Sequence, residues 1–376
     1  MLKDAKRVEN ASKELELQAT QQLRSLLSSL PLRIEKEALQ KEGADRGVDF
    51  LLELDAEGQR WTLACEVKSN GQPRNIRLAA WQAKEYAQHA EAGANIYPVV
   101  LAPFISPATG EICKEMGVGY ADLAGNCRIA FGNVYIEKGV AKNPFRVRRE
   151  QRSLFAPKSA RVLRVLFAEP QRSWKVAALA QKAGVSLGQT SNVRRMLLDR
   201  EWVSAQRGEL RLSRPDALLD AWRAAYVAPY ADRGRYYTVL HGVELEEALH
   251  KAFTGIRVTS ALVGGGPLAL LSSFSAARWL APFARVAGEF LYADPEGEEV
   301  LKRNLKLEPV SRGENVIIDR PKDNGVFLAS LEPKPGLLCT GLVQTFLDLA
   351  ASGERGAEAA VHLRQLKIDP LWKGLA

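Results

Sequence analysis

A chain of 376 residues exceeds the usual span of one compact domain, so two or three units are expected. Hydrophobic residues at 46% and charged residues at 26% exclude a wholly disordered or collagen-like chain. Lysine and arginine number 52 against 44 acidic residues, a net charge of +8, which makes a polyanionic partner the first class to test.

The opening segment, MLKDAKRVENASKELE, carries charge where a signal peptide needs an apolar stretch, and the expected location is the cytoplasm. Cys65, Cys113, Cys127 and Cys339 stand far apart with no C-x-x-C pair. They read as buried thiols, not as a zinc site or a disulfide framework.

Residues Gly47 to Lys68 read as two strands around a Glu57-Gly58 turn. A two-residue loop there sets Asp49 opposite Glu66 and Gly47 opposite Lys68, whereas a bulged or three-residue turn would shift the register. Side-chain alternation then gives one apolar face, with Val48, Phe50, Leu52 and Leu54 against Trp61, Leu63, Cys65 and Val67. The other face carries Asp49, Glu66 and Lys68. Two opposed carboxylates repel, and a divalent cation or a neighbouring ammonium relieves that cost. Hard oxygen donors suit Mg2+ or Mn2+, which could polarise a phosphodiester while Lys68 orients water or stabilises developing charge.

A helix follows over Ile76 to Glu91, with Gln82 and Tyr86 one turn apart on one side. The order Asp49, Glu66-Val67-Lys68, Gln82-x-x-x-Tyr86 resembles the PD-(D/E)XK nuclease superfamily, in its RecB-like branch. The resemblance implies a restriction-endonuclease-like α/β core. It also implies Asp49 and Glu66 as metal ligands with the Val67 carbonyl as a further one, Lys68 as the catalytic lysine, and Gln82 and Tyr86 as supports of the site or DNA contacts. A first-helix acid often completes such sites; Glu14 and Glu16 both qualify, and the position stays open.

Tyr97 to Pro103 reads as a buried strand, Pro107 to Met116 as a short helix and Val118 to Asp122 as another strand. Asp122-Leu123-Ala124-Gly125-Asn126 reads foremost as a turn in which Asp122 accepts backbone hydrogen bonds. The same D-L-x-G-N stretch resembles one found in regulators of the type IV, AbiEi antitoxin kind.

Lys142 to Arg214 holds 17 basic and five acidic residues, a local balance of +12 that leaves the rest of the chain acidic. Within it, Arg161 to Ala168 and Trp174 to Ala183 have helical spacing, and Ser186 is a good N-cap for a third helix over Leu187 to Arg200. Val193 and Leu197 should face inward. Gln189, Asn192 and Arg195, with Ser191 and Arg194 beside them, then form an outer face suited to base edges and phosphates in a major groove. Residues 202–206 and 209–212 flank Arg207-Gly208 as a hairpin, completing a winged helix-turn-helix. Lys158, Arg161, Arg172, Lys175 and Arg207 are the expected phosphate contacts.

From Tyr236 helix-like and strand-like segments alternate, including His241 to Phe253, Leu268 to Leu280, Gly341 to Leu349 and Glu354 to Gln365. The glycines at 264–266 lack a following G-K-[ST] and are not a Walker loop. Val258 to Ala277 is too interrupted to span a membrane and is expected inside the fold. His241 and His250 lack a carboxylate at metal-like spacing. The segments Leu342 to Leu349 and Gly356 to Ala360 resemble the C-terminal region of AbiEi-type antitoxins, which implies a toxin protein as partner.

The expected class is thus a multidomain α/β protein: residues 1–141 nuclease-like, 142–230 a basic linker and winged helix, and 231–376 a C-terminal α/β domain. The leading reading is a Mg2+-dependent deoxyribonuclease delivered to double-stranded DNA, without a membrane partner. The alternative is an AbiEi-type antitoxin and transcription regulator that binds DNA without turnover. Monomer and homodimer both stay open.

Overall fold

A computed structural model describes residues 2–28, 30–39, 47–90, 93–139, 154–256, 266–283 and 288–374. The chain divides into two units, Met1–Arg148 and Arg149–Ala376. Of the basic segment, residues 142–153 lie outside the described residues, as do Gly264 and Gly265.

The first unit runs α1 (Leu2–Leu27), β1 (Leu32–Leu39), β2 (Phe50–Ala56), β3 (Gln59–Val67), α2 (Pro73–Gln88), β4 (Ile96–Ala102), α3 (Pro107–Glu115), β5 (Gly119–Asp122), β6 (Cys127–Phe131) and β7 (Val134–Lys138). Its seven strands lie side by side in chain order. Strands β1 to β3 and β5 to β7 pair antiparallel, whereas β3, β4 and β5 are parallel, with α2 and α3 as crossovers.

The β2–β3 turn has positive φ at both central residues, 52° at Glu57 and 86° at Gly58, the two-residue geometry that matches strand twist. Asp55 Oδ1 accepts from the Gly58 amide at 2.9 Å, which helps hold a turn lacking asparagine or aspartate at position 57. Pairing runs from Ala56↔Gln59 to Phe50↔Cys65 without a bulge. Phe50, Leu52, Leu54, Leu63 and Cys65 therefore share one face, where they pack with Ala19, Leu23 and Leu27 of α1. Val48 departs from the expected grouping. It precedes the first residue of β2 and packs with Ala64 and Ala83 in a different cluster.

The second unit begins with α4 (Pro157–Ala168), β8 (Trp174–Lys175), α5 (Val176–Ala183), α6 (Leu187–Asp199), β9 (Val203–Gln206), β10 (Glu209–Leu212) and α7 (Pro215–Ala224). Trp174 and Lys175 are not the start of a helix as the spacing suggested; they pair with Leu210 and Glu209 as the outer strand of a β8-β10-β9 sheet. The chain continues through β11 (Tyr230–Tyr237), α8 (Gly242–Thr254), β12 (Ala269–Leu271), α9 (Ser273–Leu280), β13 (Glu289–Ala293), α10 (Pro295–Leu305), β14 (Glu308–Pro309) and β15 (Val316–Pro321). It ends with β16 (Leu331–Lys334), β17 (Leu337–Cys339), α11 (Leu342–Ala350) and α12 (Gly353–Leu363). These strands form a second seven-stranded sheet, β14-β11-β15-β13-β12-β17-β16.

One apolar core runs through this unit from Leu154 to Ile368, with Trp222 and Tyr236 both in it. The seam expected between residues 230 and 231 therefore does not separate two cores. The basic helices and the C-terminal sheet share their interior. All four cysteines are free and buried, and no described helix is long and apolar enough to cross a membrane.

Candidate active site and candidate nucleic-acid interface

The carboxyl ends of the parallel strands β3 and β4 meet the crossover helix α2, the place where open α/β sheets commonly hold ligands. Glu66, on the α2 side of β3, is 5% exposed. Lys68 Nζ donates to Glu66 Oε1 at 2.6 Å and to Gln82 Oε1 on α2 at 2.9 Å. Burial pushes the Glu66 carboxyl up from its ordinary range; the Lys68 bond opposes that shift, and the neighbouring Asp49 charge adds to it. Asp49 Oδ2 accepts from the Val67 amide at 2.6 Å, which ties the residue before β2 to the end of β3.

Asp49, Glu66, Lys68 and Gln82 are therefore brought together. Tyr86, one turn further along α2, packs against the small cluster of Val48, Ala64 and Ala83. On α1, Glu16 Oε1 accepts from Ser12, and Glu14 accepts from Gln18 at 3.5 Å. Among the described residues no group of three or more acidic, histidine or cysteine side chains gathers to hold a metal ion. The hard donors at this place are thus the Asp49 and Glu66 carboxylates.

Asp122 closes a turn. Its Oδ1 accepts from the Ala124 and Asn126 amides at 2.9 and 2.8 Å, and its Oδ2 from the Ile105 amide and Asn126 Nδ2 at 2.8 and 2.6 Å. Every bond joins Asp122 to its own loop or to the loop after β4, a structural duty that accounts for the D-L-x-G-N pattern.

In the basic region, Gly184 ends α5 with φ 60°. The Ser186 hydroxyl accepts from the Gln189 amide at 3.2 Å and starts α6. Thr190, Val193, Met196 and Leu197 are buried, so Ser191, Asn192 and Arg195 stand on the exposed side. Gln189 is half-buried and donates from Nε2 to Ser159 Oγ at 2.8 Å; Arg194 is also half-buried. The β9–β10 turn has φ 50° at Arg207 and 82° at Gly208, and its tip is exposed.

The expected phosphate contacts divide. Lys175 and Arg207 are exposed. Arg172 bonds Glu169 at 2.7 Å and lies over the Trp174 ring at 3.9 Å. Lys158 Nζ is exposed but 3.5 Å from Asp323 Oδ2. Arg161 departs from its expected role: it is 8% exposed, and its guanidinium is engaged by Asp323. Nothing local in the sequence marked this, because Arg161 lies at the margin of the helix face formed by Val162, Leu163, Val165 and Leu166, where an amphipathic helix normally meets water, and packing elsewhere in the unit buries that position too.

The C-terminal part of this unit carries a buried polar network that the sequence reading did not identify. Tyr292 Oη and Gln344 Nε2 donate to Asp348 Oδ1 at 3.0 and 2.8 Å, Tyr226 donates to the same oxygen, and Arg164 of α4 donates to Gln344 Oε1. Tyr226 precedes the sheet, and Gln344 and Asp348 lie on α11, so the network joins the basic helices to the C-terminal helices.

Residues 211–369 match the family model for the AbiEi antitoxin of type IV toxin–antitoxin systems, described as a transcriptional regulator. The matched stretch begins within β10 of the hairpin and crosses the residue-230 seam, in keeping with the shared core. No curated protein and no solved structure matches the chain.

Proposed function

We propose that this protein is a DNA-binding transcription regulator of the AbiEi antitoxin type, with a toxin protein as a second partner. The family match over residues 211–369 carries the reading. The exposed Ser191, Asn192 and Arg195 of α6, with Arg207 at the hairpin tip, give it a DNA-facing surface. The order α4, β8, α5, α6, β9, β10 is that of a winged helix, in which α6 enters the major groove and the hairpin follows the backbone. In fluorescence anisotropy with a duplex from the protein's own upstream region, affinity should fall about a hundredfold between about 50 and 200 mM salt. A salt-independent affinity, or none, would overturn the DNA-binding reading.

A second reading rests on the Lys68 contacts to Glu66 and Gln82. In it the first unit is a PD-(D/E)XK-like nuclease domain that hydrolyses DNA phosphodiesters. Asp49, Glu66 and the Val67 carbonyl would hold Mg2+ or Mn2+. The ion would supply Lewis acidity toward the phosphodiester. Lys68 is held by Gln82 where its ammonium can stabilise charge developing on a phosphate oxygen, and relief of Asp49–Glu66 repulsion favours a cation there. Plasmid nicking by the full chain should require Mg2+ and fall at least about a hundredfold in Glu66→Ala. Nicking undiminished in that variant would remove Glu66 from the chemistry and end this reading.

A further inference from the structure

Arg164 differs in its partners from three other arginines of this unit. Arg161, Arg233 and Arg320 each place a guanidinium on a carboxylate, Asp323, Asp319 and Glu298 respectively. Arg164 is 6% exposed, yet its hydrogen-bonding partner is the neutral Gln344 amide oxygen, reached by both Nε and Nη2. Its Nη1 carries no hydrogen bond to any described residue. A buried charge normally has a direct counter-charge.

Arg164 also lines a cavity of about 240 Å³ between α4 and the start of α11. Two features of its wall point to an occupant, the first turn of α11 and the apolar remainder. Gly341, the N-cap of α11, offers no side chain to the first turn of the helix, and Gly341, Leu342, Val343 and Gln344 all border the space. Free N–H groups and the helix dipole favour negative charge there. Ala329, also in the wall, has φ 57°, and its backbone carbonyl fills the space that a side chain on Gly341 would take. The remainder is apolar, with Phe167, Leu331, Ile368 and Trp372 among its residues.

We propose that this cavity binds a small carboxylate with an apolar body, whose anionic end meets Arg164 and the first turn of α11 and whose body lies against Phe167 and Trp372. The volume lies just below that of drug-sized sites, which fits an occupant on the order of ten non-hydrogen atoms. Arg164 borders a second hollow as well, but Asp323 lines that one and disfavours an anion.

The probe is 3-phenylpropionate, compared with its uncharged amide by isothermal titration of the full chain. The acid should bind, and the amide should bind at least about tenfold more weakly, because a hydrogen-bonded charge is lost. Arg164→Met should abolish the preference for the acid. Ala168→Phe places bulk at an exposed position of the cavity wall without disturbing Arg164, and should abolish binding of both compounds. Equal binding of acid and amide, retained binding in Ala168→Phe, or no binding of the acid to the wild-type chain would each overturn the proposal.

Discussion

Arg161 closes a two-point ion pair on Asp323, with Nε 2.6 Å from Oδ1 and Nη2 2.9 Å from Oδ2. It pins α4 to the loop after β15, far along the chain, and Asp323 Oδ1 also accepts from the Gly325 amide at 2.8 Å. Burial by itself would raise the Asp323 carboxyl, but Arg161 and the Gly325 amide hold it below its usual range. Asp323→Asn removes the charge while keeping an oxygen for Gly325 and leaves a buried guanidinium without its counter-ion. Stability to urea should fall by about 3 kcal/mol, with the salt dependence of DNA affinity unchanged. Unchanged stability would show that the pair does not hold Arg161 inside and would return it to the DNA-facing set.

Arg195 occupies the exposed side of α6, opposite buried Val193 and Leu197. Arg195→Ala should weaken binding to the preferred duplex by about 1–3 kcal/mol and relax discrimination at one base position. Competition binding across single-base variants reads this directly. A uniform loss over all sequences would make Arg195 a phosphate contact.

Asp348 sits among Tyr226, Tyr292 and Gln344, and burial pushes its carboxyl up to about 6 from 3.8, against the opposing pull of those hydrogen bonds and of Arg164. Between these values the folded protein keeps a proton that the unfolded chain has released, so this group's contribution to stability falls as pH rises from about 4 to 6 and is flat above. Asp348→Asn removes that slope. The difference in unfolding free energy, variant minus wild type, should therefore rise by on the order of 3 kcal/mol across the window. Denaturation curves at several pH values would show a constant difference if the carboxyl were ordinary.

Much of the first unit was legible in residue order. The Glu57-Gly58 turn and the period-two alternation of β2 and β3 place Asp49 and Glu66 at the same end of the hairpin, and the paired strands keep that register. The contact between Lys68 and Gln82 was expected only as a shared neighbourhood; the packing of α2 across β3 makes it a 2.9 Å hydrogen bond. Likewise Ser186 as an N-cap and Arg207-Gly208 as a tight turn were visible because both are local choices of backbone conformation.

The sequence by itself determined the turns, the caps, the alternating faces and the concentration of basic charge, since each depends on neighbours a few positions apart. Tertiary structure alone decided which arginines remain outside. Arg161 and Arg164 have the same charge as Arg195 and lie in an equally basic segment, yet both are buried against residues more than 150 positions away. Burial of a charge depends on whether a distant partner can replace its water, and that partner is fixed only when α4 packs against the loop at Asp323 and the first turn of α11.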